Sequence, residues 1–162
     1  MSNHTDDTGL QALRLLVVNG AAEPPAYAVV GERTTQGITD IIMTFYKQKA
    51  FYLAETISST LNPEEVAYVR DTVLEIYNDC GEPVTSDAWG TPEFETYTAQ
   101  FSPVTEMRAF RNLQALLRSI QDVNNVDCVY LLHVDAEGGH ILYLIDAAYE
   151  DNFPPGVLDH ID

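Results

Sequence analysis

The sequence predicts an α+β domain, a long N-terminal helix and further helices packed on a short antiparallel sheet. One observation is apolar spacing at helical period over residues 39–60, 62–79 and 102–124. The other is a pair of strand-like runs, Val126–Val134 and His140–Ile145, rich in β-branched, aromatic and aliphatic residues. The five residues between them include Gly138-Gly139, which supply the positive φ that a hairpin loop needs.

Residues 1–9 are polar and expected to fray. Leu13–Val18 and Ala26–Val30 are short apolar runs punctuated by Asn19-Gly20 and Pro24-Pro25, which suits brief strands. From Thr39, one long helix is expected, with Ile41, Ile42, Phe45, Lys49, Tyr52, Leu53, Thr56, Ile57 and Thr60 along one face. Asn62-Pro63-Glu64-Glu65 reads as a fresh helix start: Asn caps, Pro suits the first helical position, and Glu65 sits where a capping-box acid would. Val66, Val69, Val73, Ile76, Tyr77 and Cys80 form the stripe of this second helix, which runs to about Asp79 with Gly81 placed to end it. Residues 82–100 have loop-like composition but many rings, among them Trp89, Phe94 and Tyr97, and are expected to pack over the core. Ser102-Pro103 begins a third helix carrying Val104, Met107, Phe110, Leu113, Leu117 and Ile120, and Asn124-Asn125 ends it. The hairpin and an acidic loop ending Phe153-Pro154-Pro155-Gly156 follow.

At 162 residues the chain can form a single domain that buries roughly 70% of its unfolded surface. The longest apolar runs fall far short of the ~20 residues that a spanning helix requires, and no cleavable signal is visible. The 25 acidic residues oppose 8 basic ones, for a formal net charge of −17. Such a surface repels nucleic-acid phosphates and anionic lipid, and no basic stripe interrupts it, so nucleic acid is not an expected partner. Cationic partners fit the charge; so does simple solubility or adaptation to salt, given that Lys47 and Lys49 are the only lysines. Cys80 and Cys128 do not make a disulfide framework, and whether they bridge is left open by the sequence.

Catalytic constellations are weak. His133 and Asp135 share a strand face and His140 lies across the hairpin, a pattern able to offer N and O ligands to a metal, but no further ligand has recognisable spacing. Cys128 with His133 or His140 lacks an oxyanion loop, and Asp146, Glu150 and Asp151 lack the spacing and glycine of a calcium loop. No catalytic residue, metal or cofactor is therefore expected, and most aromatic side chains are expected in the core.

The order of helices, a helix of Leu113-Gln-Ala-Leu-Leu-Arg-Ser-Ile type, Asp127-Cys-Val-Tyr130, Tyr143-Leu-Ile-Asp146 and the Pro154-Pro155-Gly156 turn together resemble Cache sensor domains over roughly residues 38–156. These are PAS-like extracytoplasmic modules of bacterial signalling receptors. The resemblance implies a PAS-like sheet against the long helix, residues 1–37 as a preceding segment, and a partial module, since such domains usually follow a membrane span and continue with more strands. It also implies a small ligand, an amino acid or organic acid, held between sheet and loops. Tyr130, Tyr143 and Asp146 are the positions it marks for the pocket, with His133 and Tyr149 as neighbouring candidates. Asp146 would pair with a ligand ammonium, and the rings would supply apolar walls or cation–π contacts. A sensor of this kind would pass ligand binding to the long helix, through which it could pair as a homodimer. The alternative from a different class is an acidic protein–protein interaction module without a small-molecule ligand. A sensor needs a concave pocket near Tyr143 and Asp146, whereas an interaction module shows a filled core and an exposed helical patch.

Overall fold

The computed structural model describes residues 13–18, 32–135 and 138–160, with side chains from residue 40 onward. The order is β1 (Leu13–Val18), α1 (Glu32–Thr60), α2 (Pro63–Asp79), α3 (Pro92–Thr98), α4 (Ser102–Glu106), α5 (Arg108–Asn124), β2 (Cys128–Asp135), β3 (His140–Asp146) and β4 (Leu158–His160). The expected α+β class holds, with helices packed on a small antiparallel sheet whose strands lie in the order β1-β2-β3-β4. β1 pairs antiparallel with most of β2, from Leu13 opposite His133 to Val18 opposite Cys128. The expected strand at Ala26–Val30 and the fraying of residues 1–9 lie outside the described residues.

α1 begins at Glu32 rather than near Thr39 and runs for 29 residues. Among its described side chains only Leu53 and Ile57 enter the core, joined by Leu61 just beyond its end. α2 starts as the sequence dictates: the Asn62 side chain accepts the Glu64 amide at 3.0 Å, with Pro63 opening the helix. Removing that cap in Asn62→Ala should lower stability by about 1 kcal/mol, seen as a lower denaturant midpoint with an unchanged slope. An unchanged midpoint would mean that packing alone holds the helix start. Glu65 accepts instead from Asn112 of α5, at 2.8 Å. Gly81 does not stop α2; Cys80 does, by turning to extended backbone at φ −68° and ψ 150°.

Two segments differ from expectation. Residues 82–100 hold a helix, α3, begun by the same cap-then-proline device as α2: Thr91 accepts the Phe94 amide at 3.2 Å and Pro92 follows. The single helix expected from Ser102 is two, because Met107 is extended at ψ 139° and separates α4 from α5. α5 ends on Asn125, left-handed at φ 48°. After the acidic loop the chain adds β4, an edge strand beside β3.

The main core lies between the helices and one face of the sheet. Ile57, Val69, Val73, Leu113 and Leu117 meet Val129, Leu131, Leu142, Leu144 and Ile145, all of them fully buried. A second, smaller core of Phe94, Leu132, Tyr143 and Val157, flanked by Phe153 and Tyr130, covers the other face.

Candidate functional site

Strand residues alternate between faces, so Tyr143 and Asp146, three apart, would ordinarily point to opposite sides of β3. A bulge reverses this. Pairing runs Tyr130 to Asp146 and Leu131 to Ile145, then slips so that Leu132 faces Tyr143, leaving Leu144 as the extra residue. Leu144 and Ile145 both join the helix-side core, while Tyr130, Leu132 and Tyr143 gather on the second face with Asp146 opposite Tyr130. Three of the five sequence-marked residues are thus brought together.

What surrounds them is solid. Tyr143 packs against Tyr130 edge-on at 5.5 Å and against Phe153 at 4.8 Å, and Phe153 in turn meets Trp89 at 5.1 Å. Burial first, then Asp159 and Asp146, pushes the Tyr143 hydroxyl up to about 12. Tyr130 is raised as well, chiefly by burial and then by its hydrogen bond with Cys128. Asp146 is only 2% exposed. Its two carboxylate oxygens accept the Ala148 amide at 2.8 Å and the Phe153 amide at 2.9 Å, so it fastens the loop after β3 from both ends. Burial raises its pKa, and the two amides and the Arg118 charge oppose that rise without overcoming it.

The other two marked residues stand apart. His133, two positions beyond Leu131, lies on the helix side, where burial and the Arg70 charge lower its pKa against the opposing pull of Asp135. Its Nδ1 makes no hydrogen bond. Tyr149 is 60% exposed and donates to Asp122 at 2.8 Å, beneath an Arg118 guanidinium 5.0 Å from its ring centre. Arg118 also donates to the carbonyls of Ala147 and Ala148, at 3.2 and 3.0 Å. Tyr149 and Arg118 therefore strap the acidic loop to α5. His140 comes 3.5 Å from Asp135, whose carboxylate also accepts the Gly138 amide at 2.9 Å. Among the described residues no group of three or more His, Cys, Asp or Glu side chains is placed to hold a metal ion. Cys80 and Cys128 are free thiols.

No family model, curated protein or solved structure matches the chain. The likeness to Cache domains therefore rests on the residues that suggested it, above all Tyr130, Tyr143, Asp146 and the Pro154-Pro155-Gly156 turn.

Concave surface lies instead along α1. A groove of about 380 Å³ is lined by Phe45, Gln48, Lys49, Tyr52, Leu53 and Thr56 of α1 and by Asn124. A second of about 390 Å³ continues it through Asp40, Ile41 and Thr44, sharing Phe45 and Gln48. Residues 40–48 are exposed throughout. Ile41, Phe45, Phe51 and Tyr52 are each more than 60% exposed, and Ile42, Met43 and Tyr46 more than 40%. The apolar spacing was legible in the sequence; that most of it meets solvent was not. No helix among the described residues is long and apolar enough to cross a membrane.

Proposed function

We propose that this chain is a non-catalytic interaction module that presents α1 to another polypeptide. The observation that carries the reading is the set of seven large apolar side chains exposed between Ile41 and Tyr52, of which Ile41, Phe45 and Tyr52 line two adjoining hollows along one side of the helix. Apolar patches beyond a few hundred Å² are rare on monomer surfaces and commonly mark interaction sites. The filled second core supports the same reading, because Phe153 occupies the space that a ligand would need beside Tyr143.

A second reading, a small-molecule sensor, draws support from the convergence of Tyr130, Tyr143 and Asp146 under one loop. It requires Phe153 to leave its contact with Tyr143, and a ligand amine to replace two backbone amides at Asp146.

A thermal-shift screen against amino acids, organic acids, polyamines and divalent cations separates the two. A ligand a hundredfold above its Kd adds about 2.7 kcal/mol and raises Tm by several degrees. Such a shift, lost in Asp146→Asn, would replace the interaction reading with the sensor. The interaction reading expects a flat screen. It also expects the uncharged dye Nile red to bind the dilute chain and to lose that binding in Ile41→Glu/Phe45→Glu, with Tm held within a few degrees.

A further inference from the structure

We infer that the partner of α1 is a second copy of this chain, the two α1 helices packing antiparallel along the face between Ile41 and Tyr52; this rests on the interaction reading above. Size is the first argument. Ile41, Phe45 and Tyr52 share one side of the helix with Ile42 and Tyr46 beside them, while Met43 and Phe51 point elsewhere, and these five side chains present on the order of 500 Å² of apolar surface. A standard-size interface takes about 800 Å² from each partner, of which about 65% is apolar in homodimers, so an apolar side of this size against its own copy is enough.

Charge is the second. α1 carries Glu32, Asp40 and Glu55 against Arg33, Lys47 and Lys49, a balanced set, so the whole net charge of −17 sits on the rest of the chain. A basic partner would be drawn to that acidic remainder and not to the helix that holds both lysines. A second copy meets a neutral, apolar helix with another of the same kind.

The remainder also dictates direction. The described α1 side chains that enter the core are Leu53 and Ile57, in the C-terminal half, so the acidic body attaches there. Parallel helices would set two strongly negative bodies side by side. Antiparallel helices set them at opposite ends, with repulsion falling off over a Debye length of about 10 Å in 0.1 M salt. With the two-fold axis passing near Tyr46, Ile41 of one copy reaches Tyr52 of the other, and the rings enter the trough bounded by Phe45, Gln48 and Leu53.

Light scattering on the eluting chain tests the association. The expected mass is twice the 18.0 kDa of one chain, returning to a single chain mass in Ile41→Glu/Phe45→Glu with its helical circular dichroism intact. Raising salt to about 0.5 M should not weaken the dimer, because the contact is apolar and the two bodies already lie more than a Debye length apart. A dimer that weakens with salt would overturn the apolar, charge-neutral contact. Direction is read from spin labels on Thr60→Cys in a Cys80→Ser/Cys128→Ser background. At 1.5 Å per residue, labels near the far ends of an antiparallel pair lie about 40 Å apart, and a separation of about 15 Å would overturn the antiparallel arrangement. A monomer at every concentration overturns the second copy altogether. If that monomer binds Nile red through α1, the helix faces a different polypeptide and the interaction reading survives. If it does not, both fail.

Discussion

Gly156→Ala is expected to lower stability by about 3 kcal/mol or more, the largest single-residue effect anticipated here. Two causes combine at this position. Gly156 has φ +86°, a conformation that costs an L-residue about 1–2 kcal/mol. A Cβ built there falls on the ring of Phe101, which is fully buried and has no free volume to turn into. Gly156 is also tied on both sides, its amide donating to the Tyr143 carbonyl at 2.9 Å and its carbonyl accepting the Tyr97 hydroxyl at 2.9 Å, so the backbone cannot swing away. Gly139→Ala is the control. Its φ is +68° with nothing near the added Cβ, so only the conformational strain of about 1 kcal/mol should appear. Chemical denaturation of both variants decides the matter: equal losses would show that Phe101 yields and that packing at Gly156 is unimportant.

Asp146→Ala should cost about 2–4 kcal/mol, because the Ala148 and Phe153 amides lose their carboxylate acceptor. The loop from residue 147 to 157 would loosen with it, and limited proteolysis should cut there first. The carboxyl also leaves a mark on the pH dependence. Its folded pKa is raised above the ordinary 3.8, chiefly by burial. The folded state therefore holds this proton more tightly than the unfolded chain does. The stability so contributed is complete below about pH 3.8 and is lost as pH rises through the folded pKa. In Asp146→Asn that loss disappears, so the difference in stability between parent and variant should change as pH climbs from 3.8 through the mildly acidic range. Parallel curves would mean that Asp146 titrates as it does in the unfolded chain.

Little of the candidate site could be read from strand geometry. Tyr130, Tyr143 and Asp146 were marked by the likeness to Cache domains, and the structure gathers them on one face although period-2 alternation alone would set Tyr143 and Asp146 on opposite faces. Their convergence depends on the bulge at Leu144, and nothing in Tyr143-Leu-Ile-Asp146 announces it, since a run of apolar residues is compatible with either register. The two amides that take up Asp146 come from residues two and seven positions later, through a loop path that no periodicity describes. The α3 helix was in principle legible, since Thr91-Pro92 repeats the logic of Asn62-Pro63; the ring-rich, glycine- and proline-bearing composition around it masked the signal. The break at Met107 had no local signature, as Met is a good helix former.

By itself the sequence determined what short-range chemistry decides: the α+β class, the cap at Asn62, the end at Asn125, the β2–β3 hairpin, and a formal net charge of −17. These depend on hydrogen bonds and φ preferences within a few residues, or on a sum of charges, and so need no knowledge of neighbours distant in the chain. Only the tertiary structure decided which apolar surfaces are covered. An apolar helical stripe ordinarily marks the side that faces a core. On α1 that holds for Leu53 and Ile57 and fails for Ile41, Phe45 and Tyr52, because burial is a property of what packs against a residue rather than of the residue. The same reason placed Phe153 where a ligand had been expected and left the apolar residues of α1 between Ile41 and Tyr52 exposed.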